Sequence, residues 1–88
     1  MNNDDKTTPK VTIYSASWCG FCRMAKDYLN SKKVAFKDID VDEDADAARY
    51  IVGKTGQAGV PVLEIGNETI LGFDRPKIDA ALSANHLV

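Results

Sequence analysis

Apolar and polar positions alternate with a period of two in Lys10-Val11-Thr12-Ile13-Tyr14, with Val11 and Ile13 on one side and Thr12 and Tyr14 on the other. That β-branched run predicts a first strand. Ser15-Ala16-Ser17-Trp18 reads as a loop, after which the period lengthens. Cys22, Ala25 and Leu29 recur at helical spacing and predict a helix over about 19–31, with Lys26, Asp27 and Asn30 on its wet side. Residues 34–39 alternate again and predict a second strand. Asp42 is the expected cap of a second helix, with Glu43 and Asp44 in its first turn, where carboxylates complement the positive end of the helix dipole. That helix carries Ala47, Ala48, Ile51 and Val52 and stops near Lys54, before Gly56. Residues 59–65 lead into a third strand, with Pro61 at its very start, where a missing N–H is tolerable. Gly66-Asn67 signals a hairpin, and residues 68–71 form the return strand. Asp74 and Pro76 open a last helix with Ile78, Ala81 and Leu82 as its buried stripe.

The predicted order is β-α-β-α-β-β-α, an α/β class. Strands joined through a helix are expected to be parallel with a right-handed crossover, and the closing hairpin to add an antiparallel edge. The 88 residues suffice for one domain, expected over 10–88, preceded by a loose polar arm over 1–9 that ends in Pro9. No internal repeat or low-complexity segment interrupts it.

Charge then removes some function classes. Eleven Lys+Arg against thirteen Asp+Glu give a formal charge of −2, with no surplus to neutralise phosphates, so no nucleic-acid partner is expected. No stretch approaches the roughly 18 to 20 apolar residues that span a bilayer. The polar start MNNDDKTTPK lacks the apolar run of a secretory signal. These features predict a cytoplasmic chain without a membrane partner.

The chain's two cysteines, Cys19 and Cys22, change the picture most. A bridge between them closes so short a loop that the chain-entropy model credits it with roughly 2 kcal/mol, a poor staple. A small secreted scaffold would carry more cysteines, placed farther apart. Structural zinc needs four ligands, and beyond this pair the chain offers only His86, in its C-terminal tail, so no metal site is expected. A Cys-x-x-Cys pair between a strand and a helix reads instead as redox chemistry. The thiolate is the attacking species, and a cysteine at a helix N-terminus meets unpaired N–H groups and the positive dipole end, which stabilise that anion. Arg23 and Lys26 add positive charge within about a turn. Cys19 is therefore the expected nucleophile. Cys22, three residues on and turned inward, is expected to resolve the mixed disulfide. Gly20 and Phe21 between them carry no ionisable group, keep the tip compact and offer one aromatic face.

Other candidates carry less chemistry. Trp18, beside the nucleophile, is a candidate docking residue, whereas Tyr14, at a strand end, reads as structural. Asp38, Asp40, Asp42, Glu43, Asp44 and Asp46 lack the loop glycine and terminal Glu of a calcium hand and read as a solvated helix cap. Gly53-Lys54-Thr55 looks like the end of a phosphate-binding loop, but the glycine that loop needs five residues earlier is Ala48. His86 falls in a tail expected to fray.

Thr12-Ile13-Tyr14, Trp18-Cys19-Gly20-Phe21-Cys22, Gly59-Val60-Pro61-Val62 and Gly72-Phe73-Asp74 together resemble a glutaredoxin, over about residues 10–84. The resemblance implies a thioredoxin-like fold, a four-stranded mixed sheet flanked by three helices, and electron transfer by dithiol exchange as a monomer. It implies a cis Pro61, a Val60 backbone that pairs with the incoming disulfide as a short added strand, and Gly72 and Phe73, with Asp74, forming the opposite wall. Trp18, Gly20 and Phe21 complete the expected substrate contacts. The partners implied are disulfide-bearing proteins and glutathione mixed disulfides. No bound cofactor is implied; glutathione or thioredoxin reductase is the electron source. The chain departs from glutathione-using glutaredoxins at Ala16, where they often carry Lys, at Gly59, where Thr is common, and at Arg75, where an Asp often receives the glutathione amino group. Gly72-Phe73 followed by Arg75-Pro76 is instead similar to the Gly-Phe-Arg-Pro of redoxins that supply ribonucleotide reductase and are reduced by thioredoxin reductase. Gly20 also permits the alternative implied by some family members, a glutathione-dependent iron–sulfur cluster carrier.

Overall fold

Backbone pairing in the computed structural model, which describes residues 9–88, follows the predicted order. The elements are β1 (Val11–Ser15), α1 (Gly20–Ser31), β2 (Lys37–Asp40), α2 (Ala45–Thr55), β3 (Val62–Ile65), β4 (Glu68–Leu71) and α3 (Arg75–Ala84). Apart from Pro9, the expected N-terminal arm lies outside the described residues. The sheet order is β2-β1-β3-β4. β1 runs parallel to β2 with Ile13 opposite Asp38, and antiparallel to β3 with Ile13 opposite Leu63. β4 returns antiparallel to β3, Leu63 facing Ile70.

One expectation is corrected here. β2 and β3 are joined through α2 yet run in opposite directions, because β3 docks on the far side of β1 and antiparallel to it. The rule for strands joined through a helix holds for β1 and β2 alone.

The period of two in β1 divides the core. Val11 and Ile13 pack with Leu63, Ile65 and Ile70 against Ala25 and Leu29 of α1 and Ile78, Ala81 and Leu82 of α3. Tyr14 and Val62 face the opposite side and meet Ala47 and Ile51 of α2. A one-residue slip of β1 would exchange these two sets, so both layers fix its register.

Two element boundaries and one buried position differ from the sequence reading. β2 begins at Lys37 rather than at residue 34, because the Val34 N–H caps α1, donating to Leu29 O at 3.0 Å, and its buried side chain joins the cluster containing Leu29. That 6→1 bond, past Lys33 at φ 59°, closes the helix in the Schellman manner. α2 is capped by Asp44, whose side chain accepts from Ala47 N–H at 3.0 Å, so Asp42 is not the cap. Val52, expected on the buried face, is 44% exposed, and Ile51 alone of that pair enters the core. The expected frayed tail is also corrected: Leu87 N–H donates to Leu82 O at 2.9 Å and its side chain packs on the core.

Candidate active site

The loop leaving β1 tightens where Cys19 N–H donates to Ala16 O at 3.1 Å, and α1 starts one residue later. Cys19 is the N-cap, with extended backbone angles of φ −93° and ψ 111°. Its Sγ accepts the Cys22 N–H at 3.1 Å. A hydroxyl or carboxylate oxygen ordinarily caps a helix in this way; here a sulfur occupies the place, and the amide satisfied is one of the helix's four orphan donors. An anionic sulfur gains more from that amide than a thiol does. Gly20 follows as the first helical residue, with nothing within 4 Å of where a Cβ would stand, so the tip is open.

Cys22 is fully buried directly after this turn. Burial pushes its thiol up to about 12, helped by its hydrogen bond with Cys19 and opposed by the Ala16 main chain and the Lys26 ammonium. Both sulfurs are free thiols. The pair thus holds one half-exposed sulfur on a helix amide and one sulfur buried behind it.

Across from Cys19 stands the segment before β3. The Val60-Pro61 peptide is cis, and Cys19 Sγ lies 3.8 Å from Val60 O. Pro61 O accepts from Gly72 N–H at 2.8 Å, and Gly72 takes φ +77°, a turn open to glycine at little steric cost. Gln57, Gly59, Val60, Pro61, Leu71 and Gly72 line a shallow groove of ≈ 290 Å³ beside this turn. Trp18 and Phe21 flank the nucleophile at 72% and 63% exposure. Trp18 Nε1–H donates to Asp42 Oδ2 at 2.7 Å.

Two of the expected wall residues are engaged within the fold. Phe73 is half-buried against the core and meets Tyr28 edge-on, ring centroids 5.8 Å apart. Asp74 caps α3, accepting from Lys77 N–H at 3.2 Å. Arg75 lies with its guanidinium carbon 4.8 Å over the Tyr28 ring, whose hydroxyl donates to Asp79.

The sequence reading placed Lys26 on the wet side of α1. It is instead half-buried and donates to Asp38 Oδ2 at 3.0 Å, while Asp38 Oδ1 accepts from the buried Ser15 hydroxyl at 2.6 Å. The available signal was spacing: Lys26 stands four residues after Cys22, on the helix face that turns inward. Among the described residues, no cluster of three His, Cys, Asp or Glu side chains could hold a metal ion, and no helix is long and apolar enough to cross a membrane.

Comparison with known proteins places this geometry. The family model for glutaredoxin matches residues 11–70. The chain is 36% identical over 69 residues to a glutaredoxin-like 8.6 kDa protein of the rubredoxin operon of Clostridium pasteurianum, covering 78% of this chain and 92% of that one. It is 35% identical over 83 residues to a glutaredoxin of Pseudomonas aeruginosa, covering 86% and 99%. Among solved structures, the glutaredoxin-like NrdH-redoxin of Escherichia coli, described as thioredoxin-like in its activity profile, superposes with a TM-score of 0.75 at 27% identity, over 80% of this chain and 91% of that one.

Proposed function

This chain belongs to the glutaredoxin family and is a thiol–disulfide oxidoreductase with a thioredoxin-like fold, and we propose that it reduces protein disulfides through Cys19 and Cys22. The observation that carries the reading is the vertical arrangement of the two sulfurs. Cys19 sits half-exposed on the Cys22 amide at 3.1 Å, and Cys22 is buried within the next turn.

The chemistry follows from that placement. The Cys19 thiolate attacks one sulfur of the substrate disulfide, the S–S bond breaks, and the leaving sulfur takes the electron pair and a proton from water. Cys22 then attacks Cys19 Sγ, forming the Cys19–Cys22 disulfide and releasing the second substrate thiol. Two electrons have passed from the protein dithiol to the substrate. The Val60 main chain pairs with the substrate backbone, a role that its carbonyl oxygen, 3.8 Å from the nucleophile, supports. Pro61, Gly72 and the groove beside them receive the chain on one side, while Trp18, Gly20 and Phe21 contact it on the other. Phe73 and Asp74 support that wall from within the fold.

The proposed electron donor is a thioredoxin-reductase-type flavoprotein. Asp74 is committed to capping α3 and a cation, Arg75, follows it, so this rim favours neither the amino group of glutathione nor its recognition. The thioredoxin-like activity of the related NrdH-redoxin supports the same choice. The work is proposed to take place in the reducing cytoplasm, where a free dithiol persists.

The test is a trapping experiment. Cys22→Ser should accumulate a mixed disulfide on Cys19 with a protein substrate, and Cys19→Ser should abolish turnover. Equal loss in both variants without a trapped adduct would mean that the two sulfurs do not divide the work in this way.

A further inference from the structure

Lys26 follows Cys22 by four residues on α1, so the two share a face one turn apart. Helical side chains lean toward the N-terminus, and Lys26 therefore covers the turn that carries Cys22. Its position is fixed from outside the helix. Lys26 Nζ donates to Asp38 Oδ2 at 3.0 Å, and the other oxygen of that carboxylate accepts from Ser15 Oγ at 2.6 Å. Ser15 is 2% exposed, at the end of β1, the strand next to β2. Partial burial works to raise the Asp38 carboxyl, but the Ser15 and Lys26 donors outweigh it and hold the group below its ordinary value, so the carboxylate is ionised at neutral pH.

An ion pair as exposed as this contributes little to stability. Its value lies in where it holds a positive charge. Cys22 has no water to solvate its anion, yet it must ionise to attack. It does so when Cys19 is already bonded to a substrate sulfur and carries neither proton nor charge. The charged and titratable groups that face Cys22 are Cys19 and Lys26 from α1, with Asp38 of β2 behind Lys26. Once Cys19 is neutral, the ammonium remains.

We propose that Lys26, anchored by Asp38 and Ser15, is a positioning residue for the resolving step, its ammonium serving as the counter-charge to the Cys22 thiolate. The proposal rests on the two-thiol reading above. In the step itself the Cys22 proton passes to water, the Cys22 thiolate attacks Cys19 Sγ, and the bond between Cys19 and the substrate sulfur breaks. The Cys19–Cys22 bond forms, and the electron pair leaves on the substrate thiolate, which takes a proton from water. Lys26 neither gives nor receives a proton.

The two steps separate with one equivalent of 5,5′-dithiobis(2-nitrobenzoate) added to the reduced full chain in a stopped-flow absorbance experiment. Attack by Cys19 releases the first thionitrobenzoate, and attack by Cys22 releases the second. Lys26→Met and Lys26→Gln should slow the second release about tenfold, the change that one pKa unit of thiolate makes, and the first by a clearly smaller factor, because Cys19 also rests on the Cys22 amide. Gln can still donate to Asp38, so it separates loss of charge from loss of the anchor. Lys26→Arg should restore most of the second rate. The pH profile of the second release should move alkaline by about one unit in Lys26→Met. A first release of full amplitude also reports that the variants are folded. Second releases as fast in the Met and Gln variants as in wild type overturn the proposal and leave the two-thiol reading intact. A wild-type chain that releases only the first thionitrobenzoate overturns the two-thiol reading itself.

Discussion

The indole of Trp18 donates to Asp42 across 2.7 Å, tying the residue before the nucleophile to the turn that follows β2. The ring is otherwise 72% exposed, so this one bond orients a large apolar surface beside Cys19. Fixing an aromatic contact before a partner arrives lowers the ordering entropy paid on binding. Asp42→Ala should therefore raise KM for a protein disulfide about twofold to fivefold, the scale of one exposed hydrogen bond, with kcat little changed. The chain has a single tryptophan, so its fluorescence anisotropy reports on this ring directly and should fall in the variant. Unaltered anisotropy and KM together would show that Asp42 does not hold the ring in solution.

Asp42 also shows where sequence reading stops. An Asp before an apolar helical pattern is a sound cap candidate, but three aspartates crowd residues 40–44, and each is a chemically competent cap. The choice of Asp44 depends on where the chain leaves β2, a tertiary matter. Val34 presents the same difficulty. Its alternation with Phe36 reads as strand, yet its N–H is consumed by the Leu29 carbonyl, and one buried valine satisfies either pattern. The placement of Cys19 and Cys22 was legible because a strand, a short loop and a helical period of Cys22, Ala25 and Leu29 fix which sulfur turns inward. The Lys26–Asp38–Ser15 chain was not, since it joins three elements that only the parallel pairing of β1 and β2 brings together.

Arg75 opens α3, where a cation opposes the positive end of the helix dipole. What offsets this is the Tyr28 ring 4.8 Å below it. With a model protein disulfide, NADPH oxidation should run faster through thioredoxin reductase than through glutathione and glutathione reductase. Arg75→Asp should narrow that gap by improving the glutathione-coupled rate severalfold, because it removes a charge that repels the glutathione amino group and supplies one that attracts it. The fold should tolerate the change, since losing about 0.5–1 kcal/mol of cation–π contact is balanced by a similar gain from a carboxylate at the helix N-terminus. Faster glutathione-coupled turnover in the wild-type chain would reverse the assignment of donor.

Tyr14 gives the fold an alkaline limit that can be measured separately. Its hydroxyl donates to Glu64 Oε1 at 3.3 Å, Tyr50 donates to the other oxygen of the same carboxylate, and the two rings lie 5.7 Å apart. Burial first, and then the negative charge of Glu64, pushes the Tyr14 phenol up to about 12. In the unfolded chain the same phenol ionises near 10. Folding therefore favours the neutral phenol, and the stability this contributes is fully present below about pH 10 and is lost as pH rises toward 12. Tyr14→Phe should lower stability at neutral pH by about 1 kcal/mol through the lost hydrogen bond. Above pH 10 the unfolding free energies of the two proteins should converge, because only the wild type still has this contribution to lose. Cys22, also pushed up by burial, is present in both proteins and cancels in the difference. Urea midpoints measured at pH 9 and pH 11 decide the matter: a gap between wild type and Tyr14→Phe that stays constant would mean that the phenol is solvated and titrates as it does in the unfolded chain.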